Sequence, residues 1–277
     1  MAMFELSPQD RLFYEQTAPQ ILGAPTFVFV NALTGNLMAW ESRIAPVLRE
    51  KGFGALSFNF RGQEGSNFAP GTALTPELML QDLKKLLAEK APRRPILVGL
   101  SFGGLLAAKA YLSGSKAAGL VLINTLREKN PRLDWIAEAM PRLMARGGAS
   151  LYLDAMLPLL AGPDFLSGAR NFYLKGDYEP LDDAQGHACL AREAVQTDWS
   201  LEYEKLDLPV LVITGLHDRV FLDRGAVNKL FSKLPNAEAE AWEDAGHLAP
   251  QERPDRLIAS LERFAARVGE GATETAS

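Results

Sequence analysis

The chain has 277 residues, 47% of them hydrophobic, enough to bury one large core with room for an insertion. Its 29 Lys+Arg against 34 Asp+Glu leave a net charge of −5, which excludes the basic footprint of a nucleic-acid binder. No apolar run approaches the roughly 18 residues of a membrane span, and Met1–Pro8 has neither a basic region nor an apolar signal core. The single cysteine, Cys189, has no internal disulfide partner and is read as a small packed side chain, so a cytoplasmic protein is expected.

In chain order, the first buried strand is Thr26-Phe27-Val28-Phe29-Val30, β-branched and aromatic. The loop Asn31–Asn36 follows, then a helix from near Leu37–Trp40 to about Glu50, with Gly52 as its C-terminal cap. Ala55–Phe60 is the next strand and Gln63–Ala73 a loop. Thr75 caps a helix that has Pro76 in its first turn. Ile96–Val98 is a strand that runs into Gly99-Leu100-Ser101-Phe102-Gly103-Gly104, and a small-residue helix leaves from Leu105. Ala118–Asn124 and Pro209–Gly215 are further buried strands, and Ala237–Trp242 alternates Ala and Glu as an edge strand does. Between about 127 and 205 there is no convincing strand. Helical segments 133–145, 150–160, 164–173 and 182–197 recur there, punctuated by Gly147-Gly148, Gly162-Pro163 and Glu179-Pro180. Strands alternating with helices predict an α/β fold, a mostly parallel sheet with helices on both faces. The expected division is a core of 1–126 and 206–268, a helical cap of 127–205 and a disordered tail of 269–277.

A Gly-x-Ser-x-Gly turn between a buried strand and a helix exposes the serine hydroxyl on a strained corner, which makes Ser101 the candidate nucleophile. The bland alternative is a serine in a tight packing turn. A serine hydroxyl needs a base, and the base needs an orienting group. The chain has three histidines. His247, in Asp244-Ala245-Gly246-His247, follows the last predicted strand and is the candidate base. His217 is read as a neighbour of the acid and His187 as part of the helical block. Asp218, in the turn after Val210–Thr214, is the candidate orienting carboxylate. Glu128 and Asp134, after the Leu120–Asn124 strand, compete with it. Trp135, Met156, Phe165 and Trp199 of the helical block are available to line an acyl pocket or simply to pack helices. There is no His-x-x-His-type cluster and no P-loop, so neither a metal nor an organic cofactor is expected.

The order Ser101…Asp218…His247, each after a predicted strand, resembles the α/β-hydrolase superfamily in its lidded esterase/lactonase-like branch, over about residues 20–267. Gly99–Gly104 resembles the nucleophile elbow, Gly215–Asp218 the acid turn and Gly246-His247 the histidine loop. Phe58–Ser66 resembles the family's Asp-x-Arg-Gly-x-Gly-x-Ser loop. It differs by Asn59 for Asp and by one extra residue before Gly65. Where the family usually has His-Gly, this chain has Asn31-Ala32. The resemblance implies the α/β-hydrolase fold with a helical cap inserted after the sixth strand. It also implies an oxyanion hole from the backbone N–H groups of Leu33 and Phe102. The expected activity is hydrolysis of a carboxylic ester, lactone or thioester of a small, hydrophobic molecule through an acyl-enzyme. The alternatives are acyl transfer or C–C bond hydrolysis by the same residues, or a catalytically inactive ligand-binding receptor.

Overall fold

The computed structural model describes residues 2–274. Eight strands form one sheet in the order β1-β2-β4-β3-β5-β6-β7-β8. They are β1 (Ala2–Glu5), β2 (Arg11–Thr17), β3 (Thr26–Val30), β4 (Gly54–Phe58), β5 (Pro95–Leu100), β6 (Gly119–Ile123), β7 (Val210–Gly215) and β8 (Ala237–Trp242). The β1–β2 and β2–β4 pairs are antiparallel and all the others parallel.

β3 to β6 read as near-continuous apolar runs, interrupted by Thr26 and Ser57, because both faces of the sheet are covered. Side-chain alternation divides them between two cores. Val28, Val30, Leu97 and Leu120 pack on one side with α3 (Pro76–Lys90) and α4 (Phe102–Leu112). Phe27, Phe29, Val98 and Val121 pack on the other with α1 (Met38–Glu41), α2 (Ile44–Glu50) and α10 (Pro254–Glu274). Thr75 caps α3 by accepting from Leu78 N–H, with Pro76 at the first turn. β8 pairs only with β7, as an edge strand does.

Four differences from the sequence reading have physical causes. The β1–β2 hairpin has few buried positions, Phe4 and Leu12 being the fully covered ones, so it lacks the apolar run that marks the inner strands. The helix expected over about 37–50 is two pieces, because Arg43 leaves helical geometry at φ −151°. Segments 133–145 and 150–160 belong to one kinked element, α5 (Pro131–Leu160), in which Gly148 takes φ 67°. α10 continues through Glu274, whereas a disordered tail was expected from 269. Its amphipathic face buries Leu257, Leu261, Phe264 and Val268 against the sheet. Residues 275–277 of that expectation lie outside the described residues.

Between β6 and β7 the chain is helical. α5, α6 (Pro163–Ala169) and α7 (Gly186–Glu193) are followed by two short 3₁₀ turns, and beyond β7 the chain adds α8 (Arg224–Phe231) and, just before α10, α9 (Ala249–Glu252). The block between β6 and β7 contacts the carboxyl edge of the sheet, where His247 N–H donates to Leu160 O at 2.6 Å. Register then fixes the neighbours at that edge. Leu100 pairs with Ile123, Ile123 with Ile213 and Gly215 with Trp242. The residues that follow these four strand ends therefore share one crevice.

Candidate active site

Ser101 ends β5 and starts α4 with φ 55° and ψ −113°, a left-handed conformation that costs a side-chain-bearing residue about 1–3 kcal/mol. Glycines enforce the turn. A Cβ on Gly99 would lie 2.3 Å from Gly104 N, and one on Gly103 would lie 2.1 Å from Val30 O. Thr125 donates to the Ser101 carbonyl at 3.2 Å and Ser101 N–H donates to Ile123 O at 2.7 Å, so β6 braces the corner.

His247 and Asp218 meet. Nδ1 of His247 lies 2.6 Å from Asp218 Oδ2, while Asp218 Oδ1 accepts from Val220 N–H and Phe221 N–H at 3.0 and 2.9 Å. Burial pushes the Asp218 carboxyl up. The charge and hydrogen bond of His247, the Phe221 N–H and the charge of Arg127 together outweigh it and hold the group below the ordinary carboxylate value. The competing carboxylates are occupied elsewhere. Glu128 pairs with Lys229 at 2.8 Å and Asp134 lies 3.5 Å from Lys129. His217 N–H donates to Ala245 O, tying the acid turn to the histidine loop, and His187 lies on α7, half-buried.

Asn124 stitches three loops together. Its side-chain amide donates to Gly246 O and His247 O, each at 3.0 Å, and accepts from Gly215 N–H at 2.8 Å. Glu252 completes the histidine loop, accepting from Gly246, Leu248 and Gly162 N–H at 2.7–3.1 Å. Neither residue stood out in the sequence, because both act on backbone groups, Asn124 on loops about 90–120 residues away and Glu252 on Gly162 as well as on its own loop.

The loop after β3 is held by neutral amides. Asn31 donates to Phe58 O, Asn59 Oδ1 and Gln63 Oε1 at 2.8–3.0 Å and accepts from Trp40 Nε1 at 2.8 Å. Asn59 donates to Glu64 O at 2.6 Å, a bond that an aspartate carboxylate could not make. Gln63 donates to Ala32 O and Leu33 O at 2.9 and 3.1 Å. The three departures from the family pattern, Asn31, Asn59 and the lengthened loop carrying Gln63, thus form one network that clamps the backbone around Leu33. The N–H groups of Leu33 and Phe102 form no hydrogen bond among the described residues.

Arg127 is the residue that sequence reasoning passed over. Its guanidinium lies over the rings of Trp199 (4.1 Å) and Phe221 (4.8 Å). Nη2 donates to Ser101 Oγ at 2.9 Å and to Asn124 O at 2.7 Å. The Ser101 hydroxyl is bonded to this arginine, and no hydrogen bond joins it to His247 among the described residues. Ser101, His247, Asp218 and Arg127 are all 4–7% exposed, so the crevice is closed in this conformation. The only signal in the sequence was position, just past the end of β6.

Residues 27–260 match the alpha/beta hydrolase family. The chain belongs to that family. Over 261 residues it is 28% identical to BpoC of Mycobacterium tuberculosis, which carries the name of a non-heme bromoperoxidase. That match covers 87% of this chain and 94% of the relative. It is 24% identical over 198 residues to 3-oxoadipate enol-lactonase 2 of Acinetobacter baylyi, covering 71% and 72%. Its fold is similar to that of a thermophilic esterase from Thermogutta terrifontis, with TM-score 0.77, 22% identity and coverage of 96% and 97%. In alpha/beta hydrolases the crevice at the carboxyl edge of the sheet, where Ser101, Asp218 and His247 lie, is the place to look for chemistry.

Proposed function

We propose that this alpha/beta hydrolase is a serine hydrolase of carboxylic ester-type substrates: esters, lactones or thioesters of small molecules. The observation that carries the reading is the 2.6 Å His247–Asp218 contact, at the same sheet edge as a serine held at φ 55°. Ser101 Oγ bonds to the substrate carbonyl carbon as its proton passes to His247. Asp218 holds the imidazole by Nδ1 and stabilises the imidazolium. The oxyanion is received by the N–H groups of Leu33 and Phe102, the first positioned by the Gln63 clamp on Ala32 and Leu33. The carbonyl–oxygen bond to the alcohol breaks and the alcohol leaves with the proton from His247. Water, deprotonated by the same imidazole, then attacks the acyl carbon, the bond to Ser101 Oγ breaks as His247 returns the proton to it, and the acid is released. The helical block between β6 and β7 acts as a lid, bringing Trp199 over the site and excluding water.

Product analysis tests this. Purified protein with an ester panel and an added alcohol acceptor should yield mainly free acid, and Ser101→Ala should abolish turnover. Predominant acylation of the acceptor would make the protein an acyltransferase. Turnover undiminished in Ser101→Ala would remove the serine mechanism altogether.

A further inference from the structure

The geometry points to Arg127 as a receptor for a substrate carboxylate, so that the substrate is a half-ester or lactone whose short acyl chain carries a second, ionised carboxyl group. This rests on the hydrolase reading for the reaction but not for the binding site. It also departs from the small, hydrophobic substrate expected from the sequence.

A buried guanidinium normally meets a carboxylate, because desolvating a full charge against neutral acceptors alone is costly. The same molecule shows the completed arrangement at Arg61. There Nε and Nη2 each donate to a different oxygen of Asp82 at 2.8 Å, and Nη1 lies 3.1 Å from Asp10. At Arg127 the corresponding edge is incomplete. Nη2 has two neutral acceptors, the Ser101 hydroxyl and the Asn124 carbonyl, and the buried Nε has no partner. No carboxylate lies within ion-pair distance of Arg127 among the described residues. Asp218, whose charge reaches it, is bound to His247. The Nε/Nη2 edge is the fork that grips a planar carboxylate bidentately.

The surrounding charge agrees with this. Arg127 lines a cleft of about 510 Å³ together with Thr197, Trp199, Tyr203 and Lys233. The carboxylates at the cleft are already engaged, Glu128 by Lys229 and Asp198 by Lys109. The cleft therefore presents net positive charge beside the candidate nucleophile. Because Nη2 touches Ser101 Oγ, a carboxylate on this edge sits only a few bonds from a carbonyl carbon attached to that oxygen. The hydroxyl then loses its arginine contact and is free to turn toward His247.

The test uses two esters of equal chain length, p-nitrophenyl hydrogen glutarate and p-nitrophenyl pentanoate, and direct binding of glutarate and pentanoate to Ser101→Ala protein. The expected kcat/KM ratio favours the charged ester by on the order of 10²-fold in the wild type. It should fall to about one in Arg127→Gln and be intermediate in Arg127→Lys, which keeps a cation without the fork. Glutarate should bind Ser101→Ala at least about tenfold more tightly than pentanoate, and more weakly as salt is raised. If Arg127→Gln does not fold, the lysine variant and the binding measurement decide. A purely packing or oxyanion role for Arg127 would change both esters alike, and an unchanged ratio would overturn the proposal. Equal turnover of both esters by the wild type would reject the carboxylate site and leave the hydrolase intact. Arg127-dependent glutarate binding with no ester cleaved would retain the site and reject the hydrolase.

Discussion

The two buried arginines, Arg61 and Arg127, are built from the same side chain and end in opposite electrostatic states. Arg61 is closed by Asp82 and Asp10. Burial pulls its pKa down, but the two carboxylates more than restore it and leave it above the ordinary arginine value. Arg127 lies over two aromatic rings and has neutral oxygens at its edge. Burial lowers its pKa to about 10, only partly offset by the charge of Asp218. A completed pair fixes architecture, here tying the β4 loop to α3. An incomplete one, next to a strained serine, is left for a ligand to complete.

Ser101, an acceptor of Arg127, and Asp82, the acceptor of Arg61, should fail in opposite ways when removed. Ser101→Ala should lower kcat/KM by at least about 10⁴-fold, and Asp218→Asn by on the order of 10⁴-fold, with melting temperature nearly unchanged in the serine variant. Asp82→Ala should do the reverse. It removes the bidentate partner of a buried guanidinium, leaving only Asp10, and should cost about 3–5 kcal/mol in denaturant unfolding, while the fraction still folded keeps its turnover. Activity retained in Ser101→Ala, or an unperturbed melt in Asp82→Ala, would erase the distinction.

The neutral side of the crevice gives a smaller effect. Gln63→Leu frees the Ala32 and Leu33 carbonyls and should lower kcat by about ten- to a hundredfold with KM little changed, since the clamp positions a donor for the transition state. A change confined to KM would place Gln63 in ground-state binding instead.

The selectivity for charged over neutral esters should be flat between pH 6 and 8. Arg127 stays cationic up to about 10, and an unperturbed carboxyl is ionised above about 5. The ratio should fall as pH drops toward about 4 and the substrate carboxylate takes up its proton. Asp218 adds an acid limb to stability. Its folded value is below its unfolded one, so its contribution is complete above the unfolded value near 3.9 and is lost as pH falls through the folded one. Unfolding measured down the pH scale should show that limb in the parent and lack it in Asp218→Asn. The smallest expected effect is Glu128→Gln. Its partly exposed pair with Lys229 is worth about 0–1 kcal/mol, and turnover should be unchanged. A large loss of turnover there would shift the orienting role from Asp218 to Glu128.

Much of this architecture is legible in the chain, for identifiable reasons. Strands buried on both faces leave apolar runs, and Thr75-Pro76 announces a helix start through its own chemistry. The order Ser101, Asp218, His247 follows from strand ends. The β1–β2 hairpin is not legible, because half-exposed strands leave no run. Three carboxylates compete for His247 in the sequence, where the turn position favours Asp218, and in space Asp218 lies against His247 while Glu128 and Asp134 pair with lysines. Asn31, Asn59 and Gln63 read as isolated departures until their hydrogen bonds join them. Arg127 is the least legible. An arginine after a strand reads as solvated, and its burial depends on Trp199 and Phe221, which the fold brings from far along the chain.

Reaction with a fluorophosphonate, followed by intact mass and peptide mapping, identifies the nucleophile. One adduct is expected, on Ser101, absent in Ser101→Ala and slowed in His247→Ala. A folded wild-type protein that takes no adduct, or takes it on another residue, would contradict the assignment of Ser101 as the nucleophile.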